Sequence, residues 1–245
     1  MSCVLRAIAL LGFLLTAQAN AEEKLRLVAD SWPPFTEASL LNNGLATDLV
    51  STALQRAGYS TDYAQVPWAR ALLGVEEGRY DVLINAWFSD ERTHIGQFSE
   101  EYLLNRVRFL KRSRSSVQFQ DLSQLYERPI AVVRGYSYST EFDNDKLLEK
   151  VPVSNFSMAL RMVAAGRVDL AVEDEFVARF YLAAEPKNVR DKLEFLSKSL
   201  SENSLHILVS LKNPEHQGIV EDFNREIAAM KADGSYAAIF KRHGL

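Results

Sequence analysis

The stretch VLINAWFSDERTHIGQFS, from Val82 to Ser99, is the part of the chain around which the rest is read. It opens with an apolar run of strand type, passes Trp87 and Phe88, and arrives at the turn Asp90-Glu91-Arg92. A buried strand that delivers a lone Arg to its exit can present a planar five-donor fork to a carboxylate, which Lys cannot imitate. The alternative is a surface turn in which Arg92 pairs with Asp90 or Glu91. The remainder of the chain has to decide between the two.

Outward from this stretch, strand-like and helix-like segments alternate to both ends. Upstream, Leu25 to Ala29 is a short apolar strand stopped by Asp30-Ser31-Trp32-Pro33-Pro34, where the prolines oppose both helix and ladder pairing. Gly44 to Ala57 reads as a helix with Leu45, Leu49 and Ala53 on one face and Gly58 as its stop. A strand over Thr61 to Val66 and a helix from Pro67 to Glu77 lead back to the central strand, Tyr80 to Ala86.

Downstream, strands are expected at Arg106 to Lys111, Pro129 to Val133, Val151 to Val153, Val168 to Val172, Leu193 to Leu196 and Leu205 to Leu211. Helices are expected at Ser137 to Leu148, Met158 to Ala165 and Glu175 to Leu182. Two more finish the chain, one opening at Asn213-Pro214 with Ile219, Phe223, Ile227 and Met230 at helical spacing, the other from Ser235 to Arg242. This alternation argues an α/β fold with mostly parallel sheets covered by helices.

With no repeat, low-complexity segment or Gly/Ser linker, any two lobes must be joined by ordered strands, for which Leu103 to Arg108 and Leu205 to Ile207 are the candidates. That makes residues 22–105 with 207–245 one lobe and 106–206 an inserted second lobe, each expected to carry its own sheet. The basic alternation Arg106, Arg108, Lys111, Arg112, Arg114 is read as protecting an exposed sheet edge rather than as a polyanion patch.

The first 21 residues carry one charge, Arg6, an apolar run from Ala7 to Leu15, and Ala-x-Ala twice before Ala21. The run is far shorter than the roughly 20 residues a bilayer requires, so residues 1–21 read as a cleavable signal peptide, cut after Ala21. The single cysteine, Cys3, lies inside it, leaving a mature chain with no disulfide or cysteine metal site. Without Arg6 the mature chain has 27 bases against 32 acids, a net charge of −5 that gives nucleic acid no support.

No phosphate loop or Gly-x-Gly-x-x-Gly is present. Gly135-Tyr136-Ser137 starts like a nucleophile elbow, but Ser139 stands where the closing glycine belongs. The histidines at 94, 206, 216 and 243 show no spacing that would put two imidazoles on one metal. Glu173-Asp174-Glu175 could be an acid cluster, yet for at least two of the three a helix start favoured by the macrodipole suffices.

An ordered set of features remains: Trp32-Pro33-Pro34-Phe35, Gly44 with Asp48, Gly78-Arg79-Tyr80-Asp81, and Glu91-Arg92 with Phe98-Ser99. Later come Gly135, Gly166-Arg167-Val168-Asp169 running to Asp174, and Ala232-Asp233-Gly234-Ser235-Tyr236. Over the whole mature chain this set resembles the family 3 extracytoplasmic solute-binding proteins, the polar amino-acid-binding components of ABC importers. The resemblance implies a two-lobed periplasmic binding protein fold of type II-like form with two hinge strands. It also implies a monomer, a small-molecule ligand, an ABC permease in the inner membrane as partner, periplasmic location, no cofactor and no enzymatic activity.

Position by position, the resemblance makes Arg92 the clamp on a ligand α-carboxylate and Asp174 the acid for its α-ammonium. It places Trp32 over the ligand, Trp68 as an apolar wall, Asn85 as a polar contact, and Tyr136 and Ser137 as the turn completing the carboxylate site from the second lobe. Trp87-Phe88 departs from the family's small hydroxyl residues before the arginine turn, and Trp87 is open to core packing or cleft lining. Two rival functions follow from the same fold: ligand sensing for a chemoreceptor or sensor kinase, and a dehydratase-like enzyme. The latter would need a spare acid, for which Glu173 and Glu175 are the candidates.

Overall fold

The computed structural model describes residues 24–134 and 136–245; the expected signal peptide, its cleavage point, Cys3 and Gly135 lie outside the described residues. Strand β1 (Lys24–Ala29) leads through a proline turn to α1 (Leu45–Arg56), then β2 (Ser60–Gln65), α2 (Trp68–Glu76), β3 (Val82–Trp87), a short β4 (Gly96–Phe98) and β5 (Leu103–Arg112). The next segment runs β6 (Ile130–Val133), α3 (Thr140–Asn144), β7 (Lys150–Val153), α4 (Phe156–Ala164), β8 (Leu170–Asp174), α5 (Glu175–Ala184) and α6 (Lys187–Arg190). It returns through β9 (Leu193–Ser210) to α7 (His216–Asp233) and α8 (Ser235–Arg242).

Two parallel groups, β2-β1-β3 and β8-β6-β7, are joined by the antiparallel pair β9 and β5 in the order β2-β1-β3-β9-β5-β8-β6-β7. The ladder is therefore continuous, where the sequence led us to expect a separate sheet in each half. The reason is β9: two expected strands, Leu193 to Leu196 and Leu205 to Leu211, are one 18-residue strand. Its polar middle stays extended because β5 supplies a partner along its length, from Leu103 opposite Leu205 to Arg112 opposite Leu193.

What divides the molecule is packing. Leu25, Leu27, Leu49, Ile84, Ile207, Phe223 and Ile227 form a core around β1, β3, α1 and α7. Separate clusters centre on Leu110, Leu160 and Val163 on one face of the second half, and on Phe109, Ile130 and Phe142 on the other. One element crosses over: Val177 at the start of α5 joins the first core, and neighbouring Phe176 meets Phe35 and Phe240 with ring centres 5.9 and 5.8 Å apart.

Two local expectations change. β5 lies between β8 and β9, hydrogen-bonded on both sides, so its basic residues do not guard an edge. They meet cross-strand or neighbouring acids instead: Arg106 with Glu202, Arg108 with Glu175, Lys111 with Glu194 and Arg112 with Asp169. The helix expected over Ser137 to Leu148 shrinks to Thr140–Asn144, because Ser139 caps it by accepting from Phe142 N at 3.1 Å and Asp145 closes a turn onto Leu147 N at 2.8 Å.

The entry to β3 is fixed by Asp81, whose carboxylate accepts from Arg26 N, Nε and Nη2, each at 2.8 Å, and from Asn213 Nδ2 at 3.2 Å. Buried Asp81 thus joins β1, β3 and the start of α7. Asp81→Ala should lower unfolding free energy by about 1 to 3 kcal/mol, the smaller end reflecting a half-exposed Arg26 that water can re-solvate. Denaturant titration measures this, and a loss below about 0.5 kcal/mol, the scale of an ordinary surface change, would contradict it.

Candidate ligand-binding cleft

The C-terminal ends of β1 and β3 deliver the first group of side chains. After β1, Trp32 N donates to Thr36 O at 2.6 Å, a tight turn that is clipped to the start of α1 through Leu45 N to Pro34 O at 2.9 Å and Ala46 N to Phe35 O at 2.8 Å. Only Gly44 fits between them: its φ is +100°, and a Cβ there would stand 2.5 Å from Phe35 O. Trp32 is held tilted against Phe35 at 4.4 Å and edge-on to Trp87 at 5.9 Å. Trp68, the first residue of α2, faces the same space.

Asn85 is buried on β3 and donates Nδ2 to Asp30 Oδ1 at 2.8 Å. Because a carboxylate only accepts, the orientation of this amide is settled, and its Oδ1 is left buried without a partner. Trp87 resolves its two possible roles by filling both: half-buried, it lines the cleft and donates Nε1 to Asn105 Oδ1 at 3.1 Å. Phe88, 57% exposed, also lines this space, with its ring 5.0 Å from Phe98.

Among the described residues Arg92 pairs with no carboxylate, so the surface-turn alternative does not describe it. Its Nη1 donates to Trp87 O at 3.0 Å and its guanidinium stands 5.3 Å from the centre of the Trp68 ring. The stack and the single backbone bond aim the fork while leaving donors for a ligand.

On the other side of the cleft, each member of Glu173-Asp174-Glu175 has a different job. Asp174 caps α5, accepting from Phe176 N at 2.9 Å and Val177 N at 3.0 Å through Oδ1, while Oδ2 accepts from Asn105 Nδ2 at 3.1 Å. Glu175 pairs with Arg108 at 2.7 Å and Arg179 at 2.6 Å. Glu173 is 4% exposed; its Oε1 accepts from Asp174 N at 3.0 Å and its Oε2 has no partner. Burial pushes Glu173 up to about 8, with the charge of Asp174 adding to the effect, and burial pushes Asp174 up to about 6.

Tyr136 and Ser137 line the cleft from the loop after β6. The Ser137 hydroxyl donates to Asp143 Oδ2 at 2.6 Å and Tyr138 N to the same oxygen at 3.0 Å, so that carboxylate shapes the turn.

These groups enclose two adjoining chambers that share Asp30, Trp32, Trp68 and Trp87. One, of ≈ 320 Å³, is completed by Asn85 and Arg92; the other, of ≈ 440 Å³, by Tyr136, Ser137, Tyr138, Glu173 and Asp174. All eight residues expected from the sequence are therefore brought to one cleft. Sequence reasoning did not assign Asp30, which lines both chambers, or Asn105, buried behind them; Glu173, which it named only as the spare acid of an enzyme, lines the second chamber with its Oε2 unpartnered. A wider hollow of ≈ 640 Å³ lies between α1 and α8, but its Asp48 is already taken by Arg242 at 3.0 Å and His243 at 2.8 Å.

The sequence profile of the bacterial extracellular solute-binding proteins, family 3, matches residues 26–245. The chain belongs to this family. Its relatives include the "Probable histidine-binding protein" of Campylobacter jejuni, 22% identical over 232 residues covering 93% of this chain and 88% of that one. Another is the ABC transporter arginine-binding protein 1 of Escherichia coli, 22% identical over 229 residues, 91% and 92% of the two chains. The GluR0 ligand-binding core in complex with L-glutamate superposes with a TM-score of 0.70 at 18% identity, over 91% of this chain and 98% of that one. That likeness establishes the two-lobed fold of this solute-binding protein.

Asn105 is wholly buried, so Asn105→Ala strands both Trp87 Nε1 and Asp174 Oδ2. It should lower stability by about 2 to 4 kcal/mol, read by denaturant titration, with a value under about 1 kcal/mol contradicting the link. The raised acids also set a pH dependence. An unfolded Glu ionises near its ordinary value of about 4.3, so from there up to about 8 the folded state holds a proton that the unfolded state has lost, and stability falls as pH rises. The thermal midpoint of the ligand-free protein should drop between about pH 5 and 8, less steeply in Glu173→Gln; identical slopes would contradict this.

Proposed function

We propose that this solute-binding protein captures an amino acid or related small carboxylate outside the cytoplasm, in the periplasm, and hands it as a monomer to an ABC permease of the inner membrane. In this reading residues 22–105 with 207–245 form one lobe and 106–206 the other, with β5 and β9 as the hinge. The separate apolar cores support the division. The observation that carries the function is the Arg92 fork, paired with no carboxylate among the described residues, at one end of a tryptophan-lined cleft whose other end holds Asp174, with Asp30 shared between the two chambers. The histidine- and arginine-binding relatives agree with an amino-acid ligand.

A zwitterion leaving water must have both charges met. Arg92 takes the carboxylate with two parallel bonds, and the ammonium lies toward Asp30 and Asp174, which come from opposite sides of the cleft. Trp32 and Trp68 cover the apolar part, with Asn85 and the Tyr136-Ser137 turn as polar contacts. Such a ligand favours the closed arrangement because only that arrangement offers both partners.

The dehydratase-like enzyme has one observation in its favour, the buried Glu173 with its unpartnered Oε2; Glu175 is spent on two arginines. Recovery of the bound compound unchanged after prolonged incubation supports capture, and its conversion to product supports the enzyme.

Calorimetry with the twenty amino acids tests the main reading. Arg92→Ala should weaken the best binder by about 2 to 5 kcal/mol, roughly 30- to several-thousand-fold, since a buried carboxylate is left unpaired. Arg92→Lys should recover only part, because a point charge cannot make the two parallel bonds. An affinity unchanged by Arg92→Ala refutes the assigned site.

A further inference from the structure

Resting on the amino-acid reading above, we propose that Glu173 is a specificity-determining residue whose carboxylate receives a second cationic group, so that the cleft selects carboxylates bearing two basic nitrogens. The two chambers each hold one buried side-chain oxygen without a partner: Asn85 Oδ1 in the chamber of Arg92, and Glu173 Oε2 in the other. A polar atom kept dry and unbonded costs free energy that a ligand group bonded to it recovers. A single α-ammonium held between Asp30 and Asp174 is matched by those two carboxylates and leaves Glu173 Oε2 unmet. A donor on the ligand's side chain reaches it.

Charge points the same way. Asp30 and Asp174 face the chambers against one Arg92, with Glu173 a third acid whose proton burial retains while the site is empty, and a zwitterion of zero net charge leaves the excess of acid uncompensated. A ligand with an extra positive charge reduces it, and Trp32 and Trp87 line both chambers with aromatic surface that favours a cation. Glu173 is also free for the task in a way its neighbours are not: Asp174 already accepts from three donors and Glu175 from two arginines.

The arrival of a cation at Oε2 favours the ionised carboxylate, so the proton that burial retains on Glu173 leaves as the ligand enters. The groups facing Glu173 are Asp174, which titrates lower, Tyr136 and Tyr138 from the loop after β6 and Tyr181 from α5, all pushed above their ordinary values, and Asp30 across the cleft. Affinity for a basic ligand therefore tightens between about pH 6 and 8, and binding releases protons there.

The test is calorimetry with L-arginine against L-citrulline and L-lysine against L-norleucine, each pair differing mainly in the side-chain charge. Wild type should favour the charged member of at least one pair by about tenfold or more, and Glu173→Gln should abolish the preference. Wild-type titrations at pH 7 in buffers of different ionisation heat give a second readout independent of the variant's folding: proton release with the charged member and none with the neutral one. A preference that survives Glu173→Gln, a preference for the neutral member, or binding without proton release overturns the inference while leaving the amino-acid reading intact. If none of the four compounds and none of the twenty amino acids binds wild type, the amino-acid reading falls and takes this inference with it.

Discussion

The side-chain amide of Asn105 uses both ends to tie the two sides of the cleft together. Its oxygen accepts from Trp87, whose own carbonyl holds Arg92, and its nitrogen donates to Asp174, whose other oxygen caps α5. A wholly buried amide on a crossing strand is stable only while both partners are in place. Arg92, Trp87, Asn105 and Asp174 thus form a single bonded path from the arginine turn to the first turn of a helix in the other half, passing through the strand that joins them. Phe176 and Val177, one and two residues past the start of α5, pack into the first core and brace the same junction.

This path explains how the chain can leave charged groups in a poorly solvated cleft. Arg92 is aimed by a backbone bond and an aromatic face rather than by a carboxylate, so its charge is not cancelled in advance. Asp174 is satisfied by helix amides and Asn105, which keeps its position without neutralising it. The unpartnered oxygens of Asn85 and Glu173 cost stability in the empty protein, and a ligand that bonds them returns it. The same arrangement makes binding depend on how the two halves face each other, because Arg92 and Asp174 come from different sides of the molecule.

Much of this was legible in the residues. The apolar run leading to the Arg92 turn, the prolines after β1 and the glycine stops after α1 and α4 placed the α/β alternation, whereas the grouping of Trp32, Trp68, Asn85 and Arg92 in one cleft came from the family resemblance. β9 was not legible as one strand, because its polar stretch from Ser197 to Asn203 reads as a loop until β5 is seen beside it. The basic alternation of β5 misled for a related reason: its partners, Glu202, Glu175, Glu194 and Asp169, are distant in sequence, and an unpaired view makes it an edge. Asn105 was overlooked although an Asn within an otherwise apolar and basic strand is the signal it offered. The separate fates of Glu173 and Asp174 depend on which carboxylate reaches the α5 amides, a matter of side-chain direction that the order of letters does not encode.

A crystal structure of the protein with the tightest binder among the twenty amino acids tests the account most directly. The account predicts the ligand between Trp32 and Trp68, its carboxylate in a two-bond contact with Arg92 and its ammonium toward Asp30 and Asp174, with the Trp87–Asn105–Asp174 path intact. A ligand seated elsewhere, such as the hollow between α1 and α8, or one bound with Arg92 uninvolved, would contradict it.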